Sequence, residues 1–138
     1  MEFAIVGTVF FLLIFAVMDF AMMSYVKLTM QNAVREAARY AVTGRTNLDP
    51  EDSGNREAAV LQKLIDSSQG LFDRVTSTDD IKVTNSSGNP VTGYGGPGQV
   101  VVINIRCQWP ILNPFMTAVI RGNNYQFTVA ATMKNESF

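Results

Sequence analysis

At 138 residues, with 11 basic and 12 acidic side chains and a net charge of −1, the chain has room for one domain and carries no Lys/Arg cluster to dock nucleic acid, so none is expected as a partner. Histidine is absent and Cys107 is the single cysteine, which removes imidazole acid/base chemistry, His- or multi-Cys metal sites and any intramolecular disulfide. No catalytic, metal or cofactor-binding residue is therefore expected. Cys107, set among apolar neighbours, reads as a small core side chain, with an intermolecular disulfide or a reactive thiol as the alternative.

The first 43 residues read as one long helix in two surroundings. Between Phe3 and Met18 there is no charge, and between Glu2 and Lys27 only Asp19 would be ionised at neutral pH. A helix over that span is roughly 36 Å long, enough to cross a hydrocarbon core of ~30 Å. From Lys27 the pattern becomes amphipathic: Met30, Ala33, Val34, Ala37, Ala38, Ala41 and Val42 recur at three and four, with Gln31, Arg35, Glu36 and Arg39 between them and Gly44 as C-terminal cap. A secretory signal opens on basic residues and closes on a cleavage site. Here Glu2 stands where Lys or Arg would be and the helix continues, so the segment is expected to stay. Met1 is then either a true start or the residue left after a basic leader is removed.

After a polar loop, REAAVLQKLIDSSQG predicts a second, shorter helix with Ala58, Leu61, Leu64 and Ile65 on one side and Gly70 at its end. Its start is either Asp49 with Pro50, or later at Ser53 or Asn55, and Gly54 favours the later one. Residues 81–84 alternate as a strand, 85–90 form a turn and the glycine-rich 93–98 a loop. Residues 99–109 are the strongest strand, with Val101, Ile103, Ile105 and Cys107 on the core face. Pro110 stops it, ILNPFMTAVIRGNN makes a partly apolar excursion, and 125–133 resumes with Tyr125, Phe127, Val129, Ala131 and Met133 on one face of an edge or near-edge strand.

The expected fold class is α+β. The helix from 27 to 43 covers the apolar face of a small antiparallel sheet within 80–134, a loop and second helix fill 44–70, and residues 27–138 make one head. Residues 1–26 are left projecting. Burial is worth roughly 1.5–3 kcal/mol per large apolar side chain, so about a dozen of them belong in lipid or in a bundle of identical helices.

Three runs of residues carry a resemblance: EFAIVGTVFFLLIFAVMDF (2–20), QNAVREAARYAV (31–42) and FTVAATMKNE (127–136). With them the chain resembles the TadE-like pseudopilins of tight-adherence systems, a branch of the type IV pilin superfamily. The resemblance implies a pilin-like fold and an inner-membrane precursor, processed by a dedicated prepilin peptidase. Pilus assembly machinery would then extract it into an extracellular helical filament of identical subunits whose core is the bundled N-terminal helices. It also implies that Glu2, in the glutamate–phenylalanine opening with Phe3, neutralises the amine of a neighbouring subunit, although that glutamate usually lies further from the processed end. TadE-like proteins are usually minor components of such pili.

Beside Glu2 and Phe3, the candidate assembly residues are Gly7, Asp19 and Lys27. Gly7, with Thr8, permits close helix approach. Asp19 either marks the headgroup boundary or pairs in an assembled filament, for instance with Lys27 or an arginine of a neighbour. The acidic loop 49–55 suggests calcium, but Val60 occupies the position of the bidentate glutamate and an acidic helix cap explains the loop better. Asp79 and Asp80 read as a solvated turn, and the glycosylation patterns at Asn85 and Asn135 are too short to carry weight. Two function classes remain, a structural subunit of an adhesive filament or a membrane-anchored accessory protein that primes or caps a pilus or secretion machine, with an enzyme a distant third.

Overall fold

The computed structural model describes residues 2–137, with side chains at all of these except 115, 119 and 120. Helix α1 runs Glu2–Val42 without a break. No proline interrupts it, and it ends where Gly44 takes a left-handed φ of 65° and its amide donates to Ala41 O at 3.1 Å. The amphipathic half is buried as the spacing predicts, through Met30, Ala33, Val34, Ala37, Ala38 and Ala41. Burial begins at Met23 and includes Val26, ahead of the pattern change at Lys27.

Helix α2, Arg56–Ser67, takes the later of the two starts, with Asn55 Oδ1 accepting from the amides of Glu57 and Ala58. Its inner face is corrected by the structure: Ala59, Val60 and Leu64 are buried, Leu61 and Ile65 are only partly covered, and Ala58 faces a surface groove. Apolar residues fill 58–61 without interruption, so the sequence defines the stripe only to within one position, and packing on α1 selects the rotation. The Asp49 carboxylate upstream accepts from the Ser53 hydroxyl at 2.7 Å and from the amides of Glu51, Ser53 and Asn55. The loop is folded around its own acid, which uses the oxygens a cation would need, and hydrogen bonding led by Ser53 lowers the Asp49 pKa.

A short helix α3, Phe72–Val75, and a 3-10 turn, Thr78–Asp80, lead into the sheet. Strands β1 (Ile81–Asn85), β2 (Val100–Pro110) and β3 (Asn124–Lys134) pair antiparallel in the order β1-β2-β3, so β3 is an edge. Between β2 and β3 lies a helix that the sequence reading treats as an excursion, α4, Pro114–Ile120. Register is set by alternation: Ile103 faces Ala131, Ile105 faces Val129 and Cys107 faces Phe127, all turned toward α1. Cys107 is fully buried, and burial pushes its thiol up to about 12, which fits the core reading and leaves no thiolate at neutral pH. Together these elements make an α+β fold in which a long helix packs on a three-stranded antiparallel sheet.

The upper end of α1 is tied by polar side chains. Arg56 donates from Nη2 to Ala41 O and from Nη1 to Gly95 O, both at 2.6 Å. Asn135 Nδ2 donates to the carbonyls of Tyr94, Gly95 and Gly96, so the amide of this glycosylation pattern is enclosed. Gly95 has φ 73°, and a Cβ there would lie 2.7 Å from Val101 Cγ1, so the loop passes this close only as glycine. The chain's last strand then meets the helix end, where Glu136 N donates to Val42 O.

Candidate assembly helix and its collar

Strand β3 runs beside α1 in the same sense: Tyr125 lies near Lys27, Gln31 donates to Ala130 O at 2.7 Å, and Glu136 meets Val42. The head therefore grips α1 from about Asp19 upward and leaves the rest bare. An 18-residue apolar stretch of α1, long enough to cross a membrane, has none of its residues buried. Phe3 is 91% exposed, and Phe10, Phe11, Leu13 and Phe15 are each more than half exposed.

The five candidate assembly residues fall into two groups. Glu2, Phe3 and Gly7 lie on the bare part of the helix, and the Met1 amine invoked for Glu2 lies outside the described residues. A Cβ placed on Gly7 meets nothing within 4 Å, while Thr8 folds its hydroxyl back on Ala4 O at 2.8 Å. A helix surface smoothed in this way admits a second helix. Asp19 and Lys27 lie where the head begins, but they do not pair. Asp19 Oδ2 accepts from Asn113 N at 2.8 Å, holding the entry of α4 against α1, and exposed Lys27 forms no ion pair among the described residues. The half-buried carboxylate thus has a partner within its own subunit, at the N-terminal end of a helix where negative charge is favoured.

Residues 111–114 and α4 form a collar on one side of α1. Between the collar and the helix is an apolar groove of about 520 Å³, lined by Leu12, Phe15, Met18 and Met22 on the helix and by Leu112 and Pro114 on the collar. The sequence reading missed Leu112 and Asn113. The available signal was the Asn113-Pro114 dipeptide, a helix start with proline at the first position, followed by Thr117, whose amide and hydroxyl both donate to Asn113 O at 3.0 Å. Asp79 and Asp80 lie in the 3-10 turn, and Asp80 accepts from Ser77 Oγ, so they form a local turn as expected.

No curated protein and no solved structure matches the chain. The family model described as TadE-like protein matches residues 1–39. That match spans the bare half of α1, the collar's anchor at Asp19 and the alanine-rich stripe as far as Arg39, and over this segment the chain is similar to TadE-like proteins.

Proposed function

We propose that this chain is a structural pilin subunit of a tight-adherence type. It is held in the inner membrane by the first half of α1, then leaves the bilayer to polymerise with identical subunits into an extracellular adhesive filament. The N-terminal helices bundle in the filament core, and the subunit performs no catalysis of its own. One observation carries the reading: an 18-residue apolar stretch of helix, long enough to cross a bilayer and with none of its residues buried, continuous with a well-packed head. At roughly 1.5–3 kcal/mol per large apolar side chain, the bare segment must be enclosed at every stage, first by lipid and then by other copies of itself. Prepilin peptidase and pilus assembly machinery are the partners this route requires.

A second reading, a minor subunit that stays membrane-anchored and primes or caps the fibre or a secretion apparatus, is favoured by the match to the TadE-like model, since the resemblance implies a minor role. Immunogold labelling of sheared cell-surface material separates the two. Gold along the whole length of the fibres supports the major-subunit reading, and gold at fibre ends alone supports the minor one. Retention of all the protein in membranes, in cells that make fibres of normal number and length without it, would exclude both.

A further inference from the structure

We infer that the β2–β3 connection is a second membrane-contacting element, a foot that rests in the bilayer surface with Leu112 among the acyl chains beside Leu12 and Phe15. The inference rests on the reading of the bare half of α1 as the bilayer span, and it extends the membrane contact to the head.

Position along the helix is the first argument. Asp19, which holds the collar, is seventeen residues from Glu2, or roughly 26 Å, against a hydrocarbon thickness of ~30 Å. The collar therefore meets α1 at the edge of the bilayer. Leu112, next to the Asn113 amide held at Asp19, lines the same groove as Leu12, Phe15 and Met18. A bilayer surface that reaches the level of Asp19 meets this groove and Leu112 with it.

Composition is the second. Residues 111–120, ILNPFMTAVI, hold no charge, and Leu112 is 80% exposed in the isolated chain. The backbone there is prepared for lipid: Ile111 N donates to Asn123 O, Asn113 N to Asp19, and α4 satisfies its own interior. The third argument is what stands directly above. Trp109 and Tyr125 face each other across the end of the sheet, with exposed Lys27 beside Tyr125. Aromatic rings at the headgroup level, with basic side chains reaching phosphates, are the usual boundary of a membrane-embedded surface. A neighbouring subunit's helix would fill the groove equally well by shape, but it would not account for the aromatic and basic rim.

The test uses the full chain in phosphatidylcholine vesicles with and without bromine on the acyl chains. Single cysteines are introduced by Leu112→Cys, Phe15→Cys and Arg45→Cys and labelled with a fluorescent maleimide, while buried Cys107 stays unlabelled. Brominated lipid is expected to quench the dye at 112 to within about twofold of the dye at 15 and to leave the dye at 45, on the distal pole, unchanged. Quenching at 15 without quenching at 112 would overturn the foot and leave the membrane helix standing. No quenching at either position would overturn the membrane reading itself. Disulfide cross-linking of Leu112→Cys to Leu12→Cys on another copy, with no quenching at 112, would assign the groove to a second subunit and also overturn the foot. Trp109, the only tryptophan, gives an independent readout in the unmodified chain: quenching by lipid brominated near the headgroup is expected, and its absence counts against the foot.

Discussion

Arg56 offers the most direct test of how the head holds the helix. Its guanidinium donates at 2.6 Å to Ala41 O, one of the last carbonyls of α1, and at 2.6 Å to Gly95 O in the glycine-rich loop. Arg56→Met keeps most of the apolar stem and deletes these two bonds, and a longer one to Tyr94 O at 3.5 Å, along with the charge that complements the helix C-terminus. A hydrogen bond to a charged group contributes roughly 1.5–3 kcal/mol. The side chain is only half-buried and Ala41 O keeps the Gly44 amide as a second donor, so the expected loss is about 2–4 kcal/mol against a total of roughly 5–15 kcal/mol. Denaturant unfolding of the full chain in mild detergent, followed by Trp109 emission, measures it. Arg56→Lys, which can reach one carbonyl but not both, should fall between the two. An Arg56→Met protein within about 0.5 kcal/mol of the parent would mean that apolar packing alone joins α1 to the loop.

Three other outcomes are expected. Glu2→Gln should insert into membranes normally and assemble poorly, because it removes the charge proposed to meet a neighbour's amine in a water-poor bundle; wild-type fibre yield from this variant would exclude Glu2 from assembly. Asp49→Asn should melt lower than the parent at neutral pH. Hydrogen bonds hold the Asp49 carboxyl below its ordinary 3.8, so its stabilisation is present above that value and is lost as pH falls through the lowered pKa, and the gap should narrow below about pH 4. A gap that stays constant on acidification would mean the loop does not depend on the ionised carboxylate. A soluble fragment cut at Lys27 should be less stable than one cut at Phe20, since it lacks buried Met23 and Val26, each worth roughly 1.5–3 kcal/mol; equal melting temperatures would show that these two contacts add nothing.

What could be read in advance follows from how locally each feature is encoded. The core faces of β2 and β3 were legible because apolar and polar residues alternate over 103–107 and 125–129, and the inner stripe of α1 because its alanines recur at helical spacing. Helix α4 was not, since a proline followed by six residues, all but Thr117 apolar, fits a buried strand, a loop or a helix equally well. The two ties that orient the head were also invisible. Asp19 meets Asn113 ninety-four positions away and Arg56 meets Gly95 thirty-nine positions away, and no periodicity records such a pair. Asp19 stands out in the sequence as a charge in an apolar run, read there as a headgroup boundary or a filament pair, and neither reading contains the Asn113 amide that it accepts from within its own chain.

Because β3 lies alongside α1 and the head closes over both, tension applied along the helix, as by neighbours in the proposed fibre, would not peel the head open from one end. It loads the helix–sheet contact in shear, where Met30, Val34, Ala37 and Ala41 must all leave their seats together with the bonds at Gln31, Val42 and Ala41. Resistance of this kind is set by the height of one cooperative barrier and not by the weakest single contact. A subunit built in this way would hold its shape under sustained pull and then yield abruptly, so a stretched fibre would lengthen in discrete steps, one head at a time.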